Sequence, residues 1–253
     1  MCGIVGQVKY KGKVSEQNCI AMSDAIQHRG PDGSGTYINN SETVSLGHRR
    51  LAFLDLSETG KQPMTNEDGS IWITYNGEVY NYLELRNELE KYGHHFQSHT
   101  DTEVIIHGYE QWGYDVVNHL KGMFAFGLWD EKQQQLFIAR DRFGIKPLYY
   151  YFQNGNFVFA SEIKAIKANT EVATTIDFTS FADYFVYRYV PSPKSIWKEI
   201  SKLKAAHYLV LNADGTFHTK EYWKIPFAEN VISDKQAIEK FDELLFNSVK
   251  THA

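Results

Sequence analysis

The feature of this chain that most limits its fold is a succession of short apolar segments in its middle part. These segments cover residues 123–129, 135–139 and 148–152, and turn-forming residues separate each from the next. Asn154-Gly155 then predicts a tight hairpin that leads into residues 157–160. Aromatic residues make up 15% of the chain and suit half-buried sheet surfaces. The pattern therefore predicts an antiparallel β-meander within a β-rich fold.

Further strands and helices are predicted on both sides of this meander. Apolar runs predict strands at 3–10, 43–55 and 70–76. Helical spacing and capping boxes predict helices at 15–27, after Asn81 (paired with Glu84), after Thr100 (paired with Glu103), at 177–189 and at 233–250 (Ser233 paired with Gln236). Asp101 is expected in the first turn of its helix. The mixture of strands and helices predicts the α+β class.

Pro191 and Pro193 interrupt the chain and predict a domain boundary. We expect a first domain at 2–190 and a C-terminal extension at 191–253, with one or two strands around Asp214-Gly215 before the last helix. Nothing follows that helix to cover its apolar stripe. Either the helix folds back on residues 1–190 or, as we expect, the chain is the front part of a longer protein. The stripe consists of Ile238, Phe241, Leu245 and Val249.

Composition and charge exclude several classes of function. The net charge of −5 provides no basic field for binding nucleic acid. No apolar run reaches the length of a membrane span, and no signal peptide precedes the second residue, so no membrane partner and a cytoplasmic location are expected. Two cysteines without a CxxC motif predict neither a disulfide framework nor a zinc site. No metal site is expected, and His94, His95 and His99 are interpreted as solvated strand residues.

Cys2 is the first candidate for chemistry. If the initiator Met1 is removed, a thiol nucleophile and a free α-amine lie on one residue. An α-amine has a pKa of about 7.7–8.0, so near neutral pH it can accept the thiol proton and later protonate a leaving group. N-terminal nucleophiles use this pairing for acyl transfer. The alternative is that Cys2 is only a small apolar residue at the start of a strand.

Three other segments hold candidates, each with a structural alternative. Arg49 and Arg50 lie in a predicted strand, where they either help to hold a substrate or form a solvated edge. Asn76-Gly77 either points a side-chain amide and a backbone N–H in one direction or forms a plain turn. Asp101 either helps to hold a substrate or only stabilises a helix start. A kinase-like interpretation of residues 141–144 is rejected because no Gly-rich phosphate loop and no HRD segment occur.

Taken together, these segments resemble the class II glutamine amidotransferase domains of the N-terminal nucleophile hydrolase family. They are most similar to the glutaminase half of the glutamine-hydrolysing asparagine synthetases. The matching segments are MCGIVG (1–6), HRGPDG (28–33), HRRL (48–51), YNGEVYNY (75–82), TDTEV (100–104), GMFAF (122–126), ARDRFGIKPLYY (139–150), ASEIKAI (160–166) and YVPSPKSIW (189–197). The resemblance implies a four-layer αββα sandwich of two antiparallel sheets.

The resemblance also implies roles for individual residues. Cys2 is expected to attack the carboxamide of glutamine, with its own α-amine as the general base. The side chain of Asn76 and the backbone N–H of Gly77 are expected to form the oxyanion hole. The glutamine is expected to be held by Arg50 at its α-carboxylate, by Leu51, and by Glu78 and Asp101 at its α-ammonium.

This resemblance leaves the partner and the acceptor open. The expected partner is a synthetase domain, of which 191–253 is expected to be the beginning; ATP and Mg²⁺ are expected only there, because no SGGLDSS-type motif occurs in these residues. No cofactor is expected for glutamine hydrolysis. The alternatives are an amidotransferase for another carboxylate and a non-catalytic glutamine-sensing module. A homodimer is left open.

Overall fold

The computed structural model describes residues 1–52, 58–227 and 232–252, and the chain divides into two units. The first unit is Met1–Trp223 and the second is Lys224–Ala253. Within the described residues, no helix is both long and apolar enough to cross a membrane.

The first unit contains two six-stranded sheets in which every pair of neighbouring strands is antiparallel. The strands in the described residues are β1 (Gly3–Lys9), β2 (Gly33–Ile38), β3 (Val44–Arg50), β4 (Met64–Thr65), β5 (Ile71–Val79), β6 (Gly122–Asp130), β7 (Gln135–Arg140), β8 (Tyr149–Gln153), β9 (Asn156–Ala160), β10 (Ile200–Lys202), β11 (His207–Leu211) and β12 (Phe217–Glu221). The first sheet has the order β10-β8-β9-β1-β3-β2, and the second has the order β12-β11-β7-β6-β5-β4. The prediction of one antiparallel meander is wrong in its connection. β6 pairs with β7 in the second sheet and β8 pairs with β9 in the first, so the chain passes from one sheet to the other between β7 and β8.

The two sheets pack face to face around a fully buried apolar layer. Ile4 and Phe159 of the first sheet meet Ala125 and Ile138 of the second in one core cluster. The alternation of side chains along each strand sends every second residue into this layer. The remaining apolar side chains face outward and are covered by helices.

Helices cover the outer face of each sheet. The α-helices in the described residues are α1 (Glu16–Asp24), α2 (Tyr82–Lys91), α3 (Thr102–Trp112), α4 (Val116–His119), α5 (Ile163–Ala168), α6 (Phe178–Tyr187) and α7 (Asp234–His252). α1 packs on the first sheet through Met22, and α3 packs on the second sheet through Ile105. The four-layer αββα sandwich expected from the resemblance is confirmed.

The predicted capping boxes of α2 and α3 are wrong. The side chain of Asn81 does not cap α2, because its Nδ2 donates to the carbonyl of His119 and its Oδ1 accepts from the backbone N–H of Lys121. α3 begins at Thr102, so Asp101 is its N-cap residue rather than a residue of the first turn. Glu103 instead accepts the backbone N–H of Ser98 over 2.7 Å.

Two further expectations differ from the structure. Residues 94–99 contain no strand, so the interpretation of His94, His95 and His99 as strand residues is wrong. The expected strand 43–55 ends at Arg50, and its residues 53–55 lie outside the described residues.

The division of the chain falls after Trp223 and not at the expected boundary of 190 and 191. The physical reason is strand pairing across the proline segment. β10 pairs with β8 in the first sheet, and β11 pairs with β7 in the second. Residues 200–221 therefore belong to the sandwich.

The second unit consists mainly of α7. Its predicted capping box is present: the backbone N–H of Gln236 donates to Ser233 Oγ, and the backbone N–H of Ser233 donates to Gln236 Oε1 over 3.1 Å. The apolar stripe of α7 is exposed, with Ile238 at 63%.

Candidate active site

The candidate active site is a cavity of about 450 Å³ formed by the N-terminal residues, the ends of β3 and β5, and the start of α3. Segments that lie far apart in the sequence contribute to it, including Gly60, Gln62, Met123 and Lys146. All seven residues selected from the sequence line this cavity: Cys2, Arg50, Leu51, Asn76, Gly77, Glu78 and Asp101.

The backbone of Leu51 and the side chain of Arg29 position Cys2. The Sγ of Cys2 donates to the carbonyl O of Leu51 over 3.7 Å and lies 3.4 Å from the Leu51 backbone N, which donates to it. Arg29 donates from Nε to the carbonyl O of Cys2 over 2.9 Å. Glu162 in turn holds Arg29 through a 3.0 Å ion pair. These contacts fix both the thiol and the main chain of the nucleophile.

The thiol of Cys2 needs a base. Burial raises its pKa, and the carboxylates of Asp101 and Glu78 raise it too, whereas the contact with Leu51 and the amino terminus lower it. A thiol with a raised pKa is mostly protonated near neutral pH. With Met1 attached, the nitrogen of Cys2 is an amide; removing Met1 turns it into an α-amine beside the thiol.

Asn76 supplies an unpaired donor to the cavity. The residue is 1% exposed, and its Nδ2 has no hydrogen-bond partner among the described residues. Leaving a buried donor unpaired costs about 1–3 kcal/mol, so such groups are rare in folded proteins. A negatively charged oxygen in the cavity would accept this hydrogen bond.

Gly77 follows Asn76 at a point where β5 and β6 approach closely. A Cβ atom at this position would lie 2.4 Å from the carbonyl O of Met123 and 2.8 Å from the Cα of Phe124. Only glycine therefore fits the register that places the Asn76 amide and the Gly77 backbone next to each other at the cavity.

Glu78 and Asp101 make one part of the cavity acidic. Oδ2 of Asp101 accepts hydrogen bonds from the Tyr75 hydroxyl over 2.6 Å and from the backbone N–H of Val79 over 2.8 Å. Burial raises the pKa of Asp101, and burial together with the charge of Asp101 raises the pKa of Glu78. A cation bound between these carboxylates would lower the electrostatic cost of ionising both.

Cationic and neutral groups complete the cavity. Arg50 is the last residue of β3 and brings a guanidinium to the cavity wall. Lys146 is 4% exposed; burial lowers the pKa of its ammonium, and Glu78 raises it. Burial lowers the pKa of His48 to about 4, so its imidazole is neutral, and its Nε2 lies 3.1 Å from the carbonyl O of Tyr75.

Reasoning from the sequence did not select His48, Gln62, Tyr75 or Lys146, which also line the cavity. Tyr75 and Lys146 lie inside two of the segments that carry the resemblance. Membership of those segments was the signal that could have selected them. Gln62 gave no such signal, because it is held at the site by a contact distant in sequence: its Oε1 accepts the backbone N–H of Tyr75 in β5.

The cavity offers no cluster of metal ligands among its described residues. In the described part of the chain, the one group of three close His, Cys, Asp or Glu side chains is His94, His107 and Glu110, none of which lines the cavity.

Comparison with known proteins establishes the family. Residues 1–223 match the family model described as "Glutamine amidotransferase domain". The chain belongs to the class II glutamine amidotransferase domain family. This confirms the resemblance that the sequence motifs carried, and the matched residues coincide with the first unit of the structure.

Curated relatives and a solved structure agree with this membership. The chain is 40% identical over 252 residues to asparagine synthetase [glutamine-hydrolyzing] 3 of Bacillus subtilis, covering 98% of this chain and 39% of that protein. It is 32% identical to amidase chry2 of Gibberella zeae, covering 99% of this chain and 39% of that protein. The glutamine phosphoribosylpyrophosphate amidotransferase of B. subtilis, solved with ADP and GMP, shares the fold at a TM-score of 0.66 and 20% identity, covering 91% of this chain and 50% of that one.

The chain spans about half the length, or less, of the curated relatives that it matches. It corresponds to the amidotransferase part of the glutamine-hydrolysing asparagine synthetases.

Proposed function

We propose that this chain hydrolyses glutamine to glutamate and ammonia through a thioester on Cys2. The observation that carries the proposal is the unpaired Nδ2 of Asn76, buried at the same cavity as the thiol of Cys2. An unpaired donor beside a nucleophile is the arrangement that acyl transfer needs.

The first half of the reaction forms the thioester. The α-amine of Cys2 takes the thiol proton, and the sulfur attacks the carboxamide carbon of glutamine. Negative charge develops on the carboxamide oxygen, where the Nδ2 of Asn76 and the backbone N–H of Gly77 stabilise it. The carbon–nitrogen bond then breaks, and the ammonium of Cys2 returns its proton to the leaving nitrogen, which departs as ammonia.

The second half releases glutamate. The α-amine of Cys2 takes a proton from a water molecule, whose oxygen attacks the thioester carbon while the same two donors stabilise the oxyanion. The carbon–sulfur bond breaks, and the thiolate recovers its proton from the amine. These steps need no metal or cofactor.

The charges of the cavity select free glutamine. In our proposal the guanidinium of Arg50 binds the α-carboxylate, where it can form a paired hydrogen bond, and the backbone of Leu51 closes this side of the substrate. Glu78 and Asp101 bind the α-ammonium. A glutamine inside a polypeptide lacks both charges and is therefore rejected.

We further propose that the ammonia serves asparagine formation from aspartate in a longer protein. Two relatives that are longer than this chain are named glutamine-hydrolysing asparagine synthetases. α6 also exposes adjoining aromatic side chains, such as Phe181 and Phe185 with ring centroids 5.0 Å apart, which suit a covering domain.

ATP and Mg²⁺ belong to that domain in this proposal, and a cytoplasmic location keeps the thiol reduced. A homodimer would use the same exposed face.

A second acceptor class is favoured by one specific relative. Amidase chry2 matches the chain over 99% of its length, so the same glutaminase domain occurs in a protein with a different name from the synthetases. Assay of the full-length gene product with ATP, Mg²⁺ and either aspartate or other carboxylates separates the two. The amide formed identifies the acceptor.

The test of glutamine hydrolysis uses the two cysteines of the chain as a matched pair. Protein shown by intact mass to lack Met1 is assayed for glutamate release, beside Cys2→Ala and Cys19→Ala. Cys19 is 1% exposed and burial raises its pKa to about 12, so it is chemically inert. We expect Cys2→Ala to lose at least about 10³-fold in activity and Cys19→Ala to keep it. Unchanged release by Cys2→Ala would overturn the Cys2 thioester, and no release by the Met1-free parent chain would overturn hydrolysis in favour of a non-catalytic glutamine-sensing module.

A further inference from the structure

A second cluster of polar side chains lies on α3, outside the catalytic cavity. Nδ1 of His107 lies 2.8 Å from Oε2 of Glu110, and Nδ1 of His94 lies 3.4 Å from the same oxygen. One atom from each of the three side chains lies within 4.8 Å of the other two. Ligands about 2.0–2.2 Å from a tetrahedral metal ion are separated by distances in this range.

The local structure explains why these side chains meet. His107 and Glu110 are three residues apart on α3, so they share one face of the helix. His94 follows α2, where its backbone N–H donates to the carbonyl of Leu89 over 3.2 Å. Phe96 packs edge-on against the His107 ring at 4.7 Å and holds this segment against α3. The three side chains are thus placed by packing that exists without an ion.

Each of the three side chains also has an outer partner. Nε2 of His107 lies 3.6 Å from Oε1 of Glu103, Oε1 of Glu110 accepts from Nδ2 of Asn66 over 2.8 Å, and Nε2 of His94 lies 3.3 Å from Oε1 of Gln111. Metal-binding imidazoles characteristically donate their second N–H to an oxygen, and metal-binding carboxylates are themselves hydrogen-bonded. His94 and Glu110 already have this second layer, and Oε1 of Glu103 lies just beyond hydrogen-bond distance of His107.

One observation separates the cluster from an ordinary surface group. His107 is 1% exposed and lies between two carboxylates, with Nδ1 2.8 Å from Oε2 of Glu110 and Nε2 3.6 Å from Oε1 of Glu103. The imidazole of His107 is therefore buried in negatively charged surroundings, which favour a bound cation.

We propose that His94, His107 and Glu110 bind one divalent transition-metal ion, with zinc as the best fit. Two imidazoles and one carboxylate are a ligand set that zinc uses, whereas Mg²⁺ and Ca²⁺ prefer oxygen ligands alone. The side chains of His94 and Glu110 are 18% and 23% exposed, which leaves a fourth position for water. The ion would join the segment after α2 to α3.

The first test is a zinc titration of the untagged chain in competition with a chromogenic chelator. It uses the Cys2→Ala background, so that the thiol of the catalytic cavity cannot bind zinc. We expect one zinc ion per chain, and at least about tenfold weaker binding in His94→Gln and in Glu110→Gln. Both residues are partly exposed, so these variants are expected to fold. The matched controls are His95→Gln and His99→Gln, which alter exposed neighbours and should keep full affinity.

Two results of this titration overturn the proposal. One is the absence of stoichiometric zinc binding by the chain. The other is binding that His94→Gln and Glu110→Gln weaken no more than the controls do. X-ray absorption at the zinc edge supplies a second readout: two imidazole ligands and no sulfur support the site, and fewer than two imidazoles contradict it.

Discussion

Residues 75–78 and residues 141–144 are both polar segments attached to strands of the second sheet, and they behave in opposite ways. Asp141 is 1% exposed, and its carboxylate accepts the backbone N–H groups of Phe124, Phe143, Ile145 and Lys146 over 2.9–3.3 Å. Asn76 is equally buried, but its Nδ2 has no partner. The buried carboxylate of residues 141–144 has hydrogen-bond partners, whereas residues 75–78 contain a buried donor without a partner.

Whether a buried polar group has a hydrogen-bond partner distinguishes a structural role from a chemical role better than the residue type does. A carboxylate that holds four backbone N–H groups fixes the turn after β7, and Gly144 allows that turn through its φ of +66°. An unpaired buried donor lowers stability. In our proposal, residues 75–78 keep such a donor because it stabilises an oxyanion.

Among variants of these two segments, the largest expected effect is on turnover, from Asn76→Ala. Removing one oxyanion-hole donor costs about 10²–10³-fold in kcat, and the fold loses no existing side-chain hydrogen bond from Nδ2. Steady-state glutamate release and thermal unfolding measure the two quantities. Asn156→Ala is the matched control, because this buried asparagine accepts a hydrogen bond from Gln7 and should affect stability but not kcat. Comparable kcat values in both variants would remove the distinction.

Asp141→Ala is expected to show the reverse. Four backbone N–H groups lose their acceptor, two of them in buried hydrogen bonds, which should lower the free energy of unfolding by about 2–4 kcal/mol. Chemical denaturation gives this value, and the remaining folded protein should keep most of its kcat. A variant with unchanged stability and lost activity would place Asp141 in the reaction instead.

Local signals explain which parts of the fold were predictable. The hairpin at Asn154-Gly155 and the capping box of Ser233 with Gln236 depend on residues close in sequence, and both are present. The single meander is not, because β7 and β8 lie in different sheets. The capping box predicted for Asn81 is absent because distant groups at His119 and Lys121 bind its side chain. Local sequence does not encode such competition. The pairing of β10 and β11 with strands of the sandwich was missed for the same reason.

The candidate site also contains residues that the sequence predicted and contacts that it did not predict. Cys2, Asn76 and Asp101 were selected because their motifs carry the resemblance, and the structure brings them to one cavity. The hydroxyl of Tyr75 on Asp101 follows from the register of β5 and could not be read from spacing. His94 and His107 are thirteen positions apart, so no spacing signal connected them.

Asp101→Asn is expected to have an intermediate effect, on substrate binding. Loss of a charge-assisted hydrogen bond to the α-ammonium costs about 1.5–3 kcal/mol, which is roughly 10–150-fold in KM, with a smaller change in kcat. Asp115→Asn, at an exposed carboxylate beyond α3, is the control. Equal KM values in the two variants would exclude Asp101 from substrate binding.

The same variant has a signed pH dependence. Below the acid limb that protonation of the α-amine base produces, kcat/KM for glutamine should fall further as the pH falls through the raised pKa values of Asp101 and Glu78, because protonation removes the partners of the α-ammonium. Without the charge of Asp101, the pKa of Glu78 falls, and the remaining acid limb should move to lower pH. A limb that does not move would show that Glu78 does not control it.

The stability that Asp101 contributes should change with pH in the opposite direction to kcat/KM. Its pKa is higher in the folded than in the unfolded chain, so the folded chain binds more protons between these two values. Stability from this group is therefore lost as the pH rises through that interval. At neutral pH Asp101→Asn should be at least as stable as the parent chain, and melting curves at several pH values test this. A clear loss of stability at neutral pH would mean that the charge of Asp101 supports the fold.

The smallest expected effect comes from Phe143→Ala, within the segment that resembles a kinase motif. Phe143 is 68% exposed and contacts Trp223 with ring centroids 5.4 Å apart. An exposed aromatic contact of this kind contributes about 1 kcal/mol or less, since little apolar area leaves water. Chemical denaturation and glutamate release should both be close to those of the parent chain. Phe137→Ala, at a buried aromatic side chain of β7, should cost about 3–5 kcal/mol and serves as the contrast. A large loss of activity in Phe143→Ala would show that residues 141–144 act on the reaction, and the contrast with residues 75–78 would then fail.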